Sequence, residues 1–84
     1  MPYLKDDDRR VDLSDALDSV SPETPGELNY VITQMCLEYL AQSEGKYADY
    51  NTIIGALESA KLEFYARAVR PYEDRKITEN GDVY

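Results

Sequence analysis

Five basic residues lie within the sixteen positions from Lys61 to Lys76, beside only three acidic residues, in a chain of formal net charge −8. This basic segment combines guanidinium and ammonium groups with phenol rings, at Tyr65, Arg67, Arg70, Tyr72, Arg75 and Lys76. Guanidinium groups donate bidentate hydrogen bonds to phosphate, and a tyrosine ring offers a face on which a nucleobase can stack. The basic segment is therefore the first candidate site, for a small molecule that carries phosphate.

The spacing of the arginines suggests how such a site would work. Arg67 and Arg70 stand three residues apart, which places both on one face of a helix. A symmetric oligomer would bring two copies of this face together and could hold a cyclic nucleotide with two phosphates across its axis. The alternative is structural: Arg67 pairs with Glu63, Arg70 caps a helix end and the tyrosines pack. Residue types alone favour the structural alternative.

A polar patch near the start of the first predicted helix is the second candidate site, at Asn29, Tyr30 and Thr33. Donors close to a helix N-terminus favour anions. The alternative reading leaves Asn29 facing water and Tyr30 closing over the helix pair.

The sequence argues against an enzyme. Cys36 falls in an apolar helical stripe, and the chain has no histidine to activate its thiol. Glu27, Glu38 and Glu58 lack the Glu-x-x-His pairing of helical di-metal sites. We therefore expect no catalytic residue, no metal site and no cofactor.

Length and charge narrow the class of protein. A chain of 84 residues with one cysteine forms one small domain without an internal disulfide, so oligomerisation would supply the missing burial. A pI near 4.3 disfavours DNA, RNA and anionic membranes as partners, and no apolar run approaches a membrane span. The acidic N-terminus is unlike a signal peptide, so a cytoplasmic protein is expected.

The chain divides into an acidic N-terminal arm, residues 1–23, and a helical domain, residues 24–84. Thr24-Pro25-Gly26-Glu27 predicts a capped start for the first helix, and Gly45 its end. A second helix is expected from about Asp49 to Val69, and Pro71 should break it and open a short third helix through Glu79. The predicted fold is all-α: an antiparallel helical hairpin with a short C-terminal helix, stabilised by oligomerisation.

Several stretches resemble a family of small helical proteins encoded by tailed phages and by bacteria with phage-like genes. They are Thr24-Pro-Gly-Glu-Leu-Asn-Tyr-Val-Ile-Thr33, Ile54-Gly-Ala-Leu-Glu58, Ala60-Lys-Leu-Glu-Phe-Tyr65, Val69-Arg-Pro-Tyr-Glu-Asp74 and Asn80-Gly-Asp-Val-Tyr84. The likeness covers roughly residues 22–84. It implies a phage-type context, in which small helical oligomers often hold a host molecule.

Together these observations predict a non-enzymatic homo-oligomer that sequesters a small anionic ligand, most specifically a cyclic-nucleotide defence signal. Arg67, Arg70 and Lys76 would hold its phosphates, and Tyr65 or Tyr72 its base. The alternative is an interaction protein whose acidic arm and amphipathic face dock onto a host or phage protein. A divalent-metal hydrolase is the third and weakest hypothesis.

Overall fold

The computed structural model describes residues 4–84, and every regular element in that range is helical. Helix α1 spans Asp8–Leu17 and helix α2 spans Pro25–Gln42. Helix α3 spans Tyr47–Phe64 and continues through a π-helical segment, Tyr65–Val69, into helix α4, Arg70–Asn80. The predicted all-α class is confirmed.

The chain forms two units, one up to Glu44 and the other from Gly45 onward. The first unit contains α1 and α2, so the described part of the predicted arm is partly helical. The second unit contains the continuous helix formed by α3, the π-helical segment and α4. Because α2 and α3 belong to different units, the antiparallel hairpin stays a prediction, and so does the oligomer.

The start of α2 follows from its predicted cap. The Thr24 hydroxyl accepts a hydrogen bond from the Glu27 amide at 3.1 Å, which satisfies one donor that the first helical turn leaves unpaired. Glu27 also reaches back, but its carboxylate accepts from the amide of Glu23 at 3.4 Å, one residue before the expected partner. The predicted capping pattern is therefore present, with its second bond displaced by one position.

The start of α3 lies two residues earlier than expected. The helix begins at Tyr47, and the Lys46 amide donates to the Asp49 carboxylate at 2.9 Å. Asp49 therefore caps α3 from inside its first turn, because its carboxylate accepts the amide of Lys46, the residue that precedes the helix. Gly45 precedes this start with a φ of +72°, a left-handed conformation that residues with a side chain rarely adopt.

The predicted break at Pro71 is wrong, because the chain stays helical from Tyr47 to Asn80. Proline lacks an amide hydrogen, and in a regular α-helix its ring would clash with the carbonyl four residues before it. The π-helical segment relieves this conflict just upstream: the Arg70 amide donates to the carbonyl of Tyr65, five residues back. The wider turn accommodates proline without ending the helix, so the short third helix is the C-terminal part of a longer one.

None of residues 4–84 is buried. Large apolar side chains on the continuous helix are mostly exposed, including Ile54 and Phe64 at 65% each. On α2, Val31, Cys36 and Leu40 are half-buried, whereas Leu28 and Met35 are exposed. A helix on its own has no interior, so these apolar side chains can leave water only against another surface.

Candidate ligand-binding site

The two central arginines of the basic segment reach in opposite directions along the helix. The Arg67 Nε donates to Glu63 Oε1 at 2.9 Å, one turn towards the N-terminus. The Arg70 Nε lies 3.3 Å from Asp74 Oδ1, one turn towards the C-terminus. Arg67 lies within the π-helical segment, whereas Arg70 is the first residue of α4. The pairing of Arg67 with Glu63 matches the structural alternative, whereas Arg70 binds a side chain rather than capping a helix end.

Tyr72 lies beside two cations. The Arg75 guanidinium is 5.8 Å and the Lys76 ammonium 5.6 Å from the centre of its ring. Both distances are within the range of cation–π attraction. Lys76 Nζ also lies 3.2 Å from Glu79 Oε2. Tyr72 is exposed, so one aromatic ring and two cations share a solvent-facing surface on α4.

Tyr65 makes a contact that spans the π-helical segment. Its hydroxyl donates to Glu73 Oε2 at 3.1 Å. This hydrogen bond, and then the negative charge of Glu73, raise the pKa of the Tyr65 phenol above its usual value, while the Arg70 charge opposes the rise. Tyr65, Arg70 and Glu73 therefore interact as one cluster on the described surface.

A groove of about 370 Å³ runs along α4 next to this cluster. It is lined by Arg70, Glu73, Lys76, Ile77 and Asn80, and by residues 81–84 that follow the helix. We call it the tail groove. Gly81 has a φ of +86°, and this left-handed residue ends α4 where the sequence predicted a stop. Arg70 and Lys76 are predicted site residues that line this groove, while Arg67, Tyr65 and Tyr72 do not.

The sequence analysis did not predict that Glu73 and the last four residues would line this groove. Glu73 stands three residues after Arg70 and four before Ile77, a spacing that puts all three on one helical face. That signal is in the sequence. It is hidden by Pro71, because a helix expected to begin there offers no continuous face on which Arg70 and Glu73 would meet.

The second candidate site does not come together as predicted. The Thr33 hydroxyl donates to the backbone carbonyl of Asn29 at 2.8 Å, a bond within the helix that occupies its only hydrogen. Tyr30 is 64% exposed and lines a separate hollow of about 380 Å³ with Ser21, Pro22, Gly26, Glu27 and Val31. Neither Asn29 nor Thr33 lines that hollow, so the three residues do not converge on one space.

Within residues 4–84, no three Cys, Asp or Glu side chains are grouped so that they could hold a metal ion. Within the same range, no helix is both long enough and apolar enough to cross a bilayer. Cys36 is a free, half-buried thiol on α2.

The fold and these surfaces define a small all-helical protein whose candidate sites lie on the outer faces of helices. The chain belongs to the family described as Domain of unknown function (DUF6899), whose family model matches residues 1–83. No curated protein and no solved structure matches the chain. The phage context implied by the resemblance stays a prediction.

Proposed function

We propose that this protein is a non-enzymatic homo-oligomer that binds and sequesters a small anionic ligand, most specifically a cyclic nucleotide. One observation carries the proposal. Arg67, Arg70 and Lys76 are exposed, and each is held by an acid of its own helix, namely Glu63, Asp74 and Glu79. Each cation is thus charged, oriented and accessible.

The existing ion pairs are weak enough to be exchanged for a phosphate. The Arg67 side chain is 80% exposed and that of Arg70 61% exposed. Exposed pairs of this spacing stabilise a helix by about 0.3–0.5 kcal/mol. A phosphate that accepts two parallel hydrogen bonds from a guanidinium forms a stronger, charge-assisted contact. An anionic ligand can therefore displace the intrahelical acids at little cost.

A second copy of the chain is needed to enclose such a ligand. Side chains on a single helix project outward, whereas small-molecule sites bury most of the ligand surface in a cleft. Two copies related by a twofold axis would double the cations and could contact both phosphates of a cyclic dinucleotide. The exposed apolar side chains of α2 and α3 offer the surface for this assembly, since burying them would be favourable.

In a phage-type setting the ligand would be a host defence signal, and sequestering it would lower its free concentration. This role needs binding alone. The proposal therefore assigns no bond-breaking step to any residue.

Native mass spectrometry of the full chain with a panel of cyclic di- and oligonucleotides would test the proposal, because it reads subunit number and ligand mass together. We expect a fixed number of ligands per oligomer. The double variant Arg67→Ala/Arg70→Ala should weaken binding at least tenfold while leaving the subunit number unchanged. Lys61→Ala is the matched control, because it removes a cation from the same continuous helix upstream of the proposed contacts. Equal affinity of the double variant and the control would contradict the site.

The second candidate function is an interaction protein that docks onto a host or phage protein. Exposed apolar residues on α2 favour it, with Leu28, Tyr30 and Met35 all more than half exposed. The acidic residues around α1 would add electrostatic steering. Deleting residues 1–23 should abolish a protein contact of this kind and leave nucleotide binding through Arg67 and Arg70 largely intact. If the full chain binds no nucleotide but does bind a host or phage protein, this second function is favoured.

A further inference from the structure

We infer that the tail groove takes a guanine nucleotide, with Arg70 and Lys76 facing its phosphate and Glu73 facing the N–H edge of its base. The inference rests on the proposed function, and it specifies the base that the site would select. Three charged residues that line the groove carry it, namely the cations Arg70 and Lys76 and the carboxylate Glu73. The fourth charged residue of the lining is Asp82, whose Oδ1 accepts the amide of Tyr84 at 2.9 Å.

A carboxylate inside a phosphate site restricts the ligand that can bind. Glu73 repels an anion, so phosphate alone would gain less here than at a purely cationic surface. An ionised carboxylate accepts hydrogen bonds and donates none. The ligand that satisfies all three side chains therefore has an anionic group for Arg70 and Lys76, and adjacent N–H donors for Glu73.

The geometry of Glu73 prepares it to accept those donors. Its Oε2 accepts the hydroxyl of Tyr65 at 3.1 Å, and this bond restrains the carboxylate. Among the described residues, no hydrogen bond to Oε1 is present, and the side chain is half-buried. An ionised carboxylate offers about four lone-pair positions, so it can accept further donors while it keeps Tyr65. Tyr65 is thus a positioning residue for Glu73.

Guanine fits this carboxylate and adenine does not. Guanine presents its N1–H and its N2 amino group side by side, which are two donors aimed in one direction. Adenine presents its amino group beside a ring nitrogen whose lone pair would face the carboxylate oxygen. Specificity of this kind comes from the repulsive contact as much as from the attractive one.

The size of the groove agrees with one base and one phosphate. Its volume of about 370 Å³ lies at the lower end of the range for small-molecule sites. Ile77 also lines the groove and would supply an apolar contact for the base. A cyclic dinucleotide would then need two such grooves, one from each of two copies.

Cyclic di-GMP and cyclic di-AMP are matched probes, because they carry the same phosphates and sugars and differ only in the base. We expect the wild-type chain to bind cyclic di-GMP at least tenfold more tightly in a titration by calorimetry. Glu73→Gln should remove this preference and favour cyclic di-AMP, because a carboxamide pairs one acceptor and one donor with adenine. Tyr65→Phe should reduce the preference less.

Glu79→Gln is the control, since it removes one negative charge from the same helix outside the groove. It should change both affinities in the same direction and leave their ratio unchanged. Circular dichroism and native mass must show that Glu73→Gln keeps the helices and the subunit number. Equal binding of the two probes by the wild type, or an unchanged ratio in Glu73→Gln, would overturn the inference and leave sequestration standing. Absence of binding by both probes would remove the inference together with the proposed function for this ligand class.

Discussion

The Tyr65 hydroxyl donates a hydrogen bond to the Glu73 carboxylate, eight residues further along the same helix. In a regular α-helix, eight residues make two turns and about 80° more, so the two side chains would diverge. The π-helical segment absorbs one extra residue, and the remaining seven steps bring Glu73 to within about 20° of Tyr65. The hydrogen bond is thus a direct product of the π-helical segment.

The ionisation of Tyr65 should report this contact. Because Glu73 raises the pKa of the phenol in the folded chain, the hydrogen bond stabilises the fold below about pH 10, and this contribution is lost as pH rises through the folded pKa. A titration of phenolate absorbance with pH, compared between the wild type and Tyr65→Phe, isolates the signal of Tyr65. We expect this signal to appear at a pH above the ordinary tyrosine range.

Glu73→Gln should lower the pKa of Tyr65 towards that ordinary range, because the negative charge is gone. If the Tyr65 phenol titrates at the same pH in the wild type and in Glu73→Gln, the Tyr65–Glu73 contact does not persist in solution.

Pro71→Ala should convert the π-helical segment to regular α-helix. Alanine restores the missing amide hydrogen and removes the ring, so nothing then requires the wider turn. We expect the free energy of unfolding to rise by about 1 kcal/mol or more. The Tyr65 pKa should fall, because α4 would rotate about the helix axis and move Glu73 away from the Tyr65 hydroxyl. Thermal melting at a fixed protein concentration, with the phenol titration, measures both effects. A more stable variant with an unchanged Tyr65 pKa would show that the π-helical segment does not depend on Pro71.

Thr24→Ala should cost about 1 kcal/mol of stability, because the Glu27 amide loses its acceptor at the start of α2. Thr33→Ala is a control within the same helix, since it removes a threonine hydroxyl that bonds only to the Asn29 carbonyl. That bond lies inside the helix, where alanine is the better helix former, so we expect little change or a small gain. Chemical denaturation followed by circular dichroism compares the two. Equal losses would mean that the cap contributes nothing specific.

Gly55→Ala should stabilise the chain. A glycine inside a helix would let another helix approach closely, but a Cβ at this position meets nothing within 4 Å. Alanine in a helix interior is better than glycine by about 1 kcal/mol, so the melting temperature should rise. Native mass spectrometry of the same variant tests the packing idea directly. A variant that loses its oligomeric state would show that copies pack closely against Gly55.

The helix boundaries could be predicted from the sequence because they depend on short-range interactions. The hydroxyl of Thr24, the carboxylate of Asp49 and the glycines at 45 and 81 act on residues close to them in the chain. Their effects are therefore visible as short patterns, and the structure confirms the helix boundaries that they predicted to within a few residues. The apolar stripe that contains Cys36 likewise predicted α2, because such a stripe depends only on the helical repeat.

The three-dimensional structure alone decided what happens at Pro71. A proline can end a helix or be accommodated by a wider turn, and local propensity favours the first outcome. The wider turn changes the rotational position, around the helix axis, of every side chain after Val69. It separates the pairing directions of Arg67 and Arg70, joins Tyr65 to Glu73 and puts Glu73 in the tail groove. The sequence by itself therefore predicted, to within a few residues, which residues from Thr24 onward are helical, whereas the rotational position of each side chain around the helix axis determined which of them meet. This rotational position depends on the conformation of the whole backbone before it, so it cannot be predicted from any single residue type.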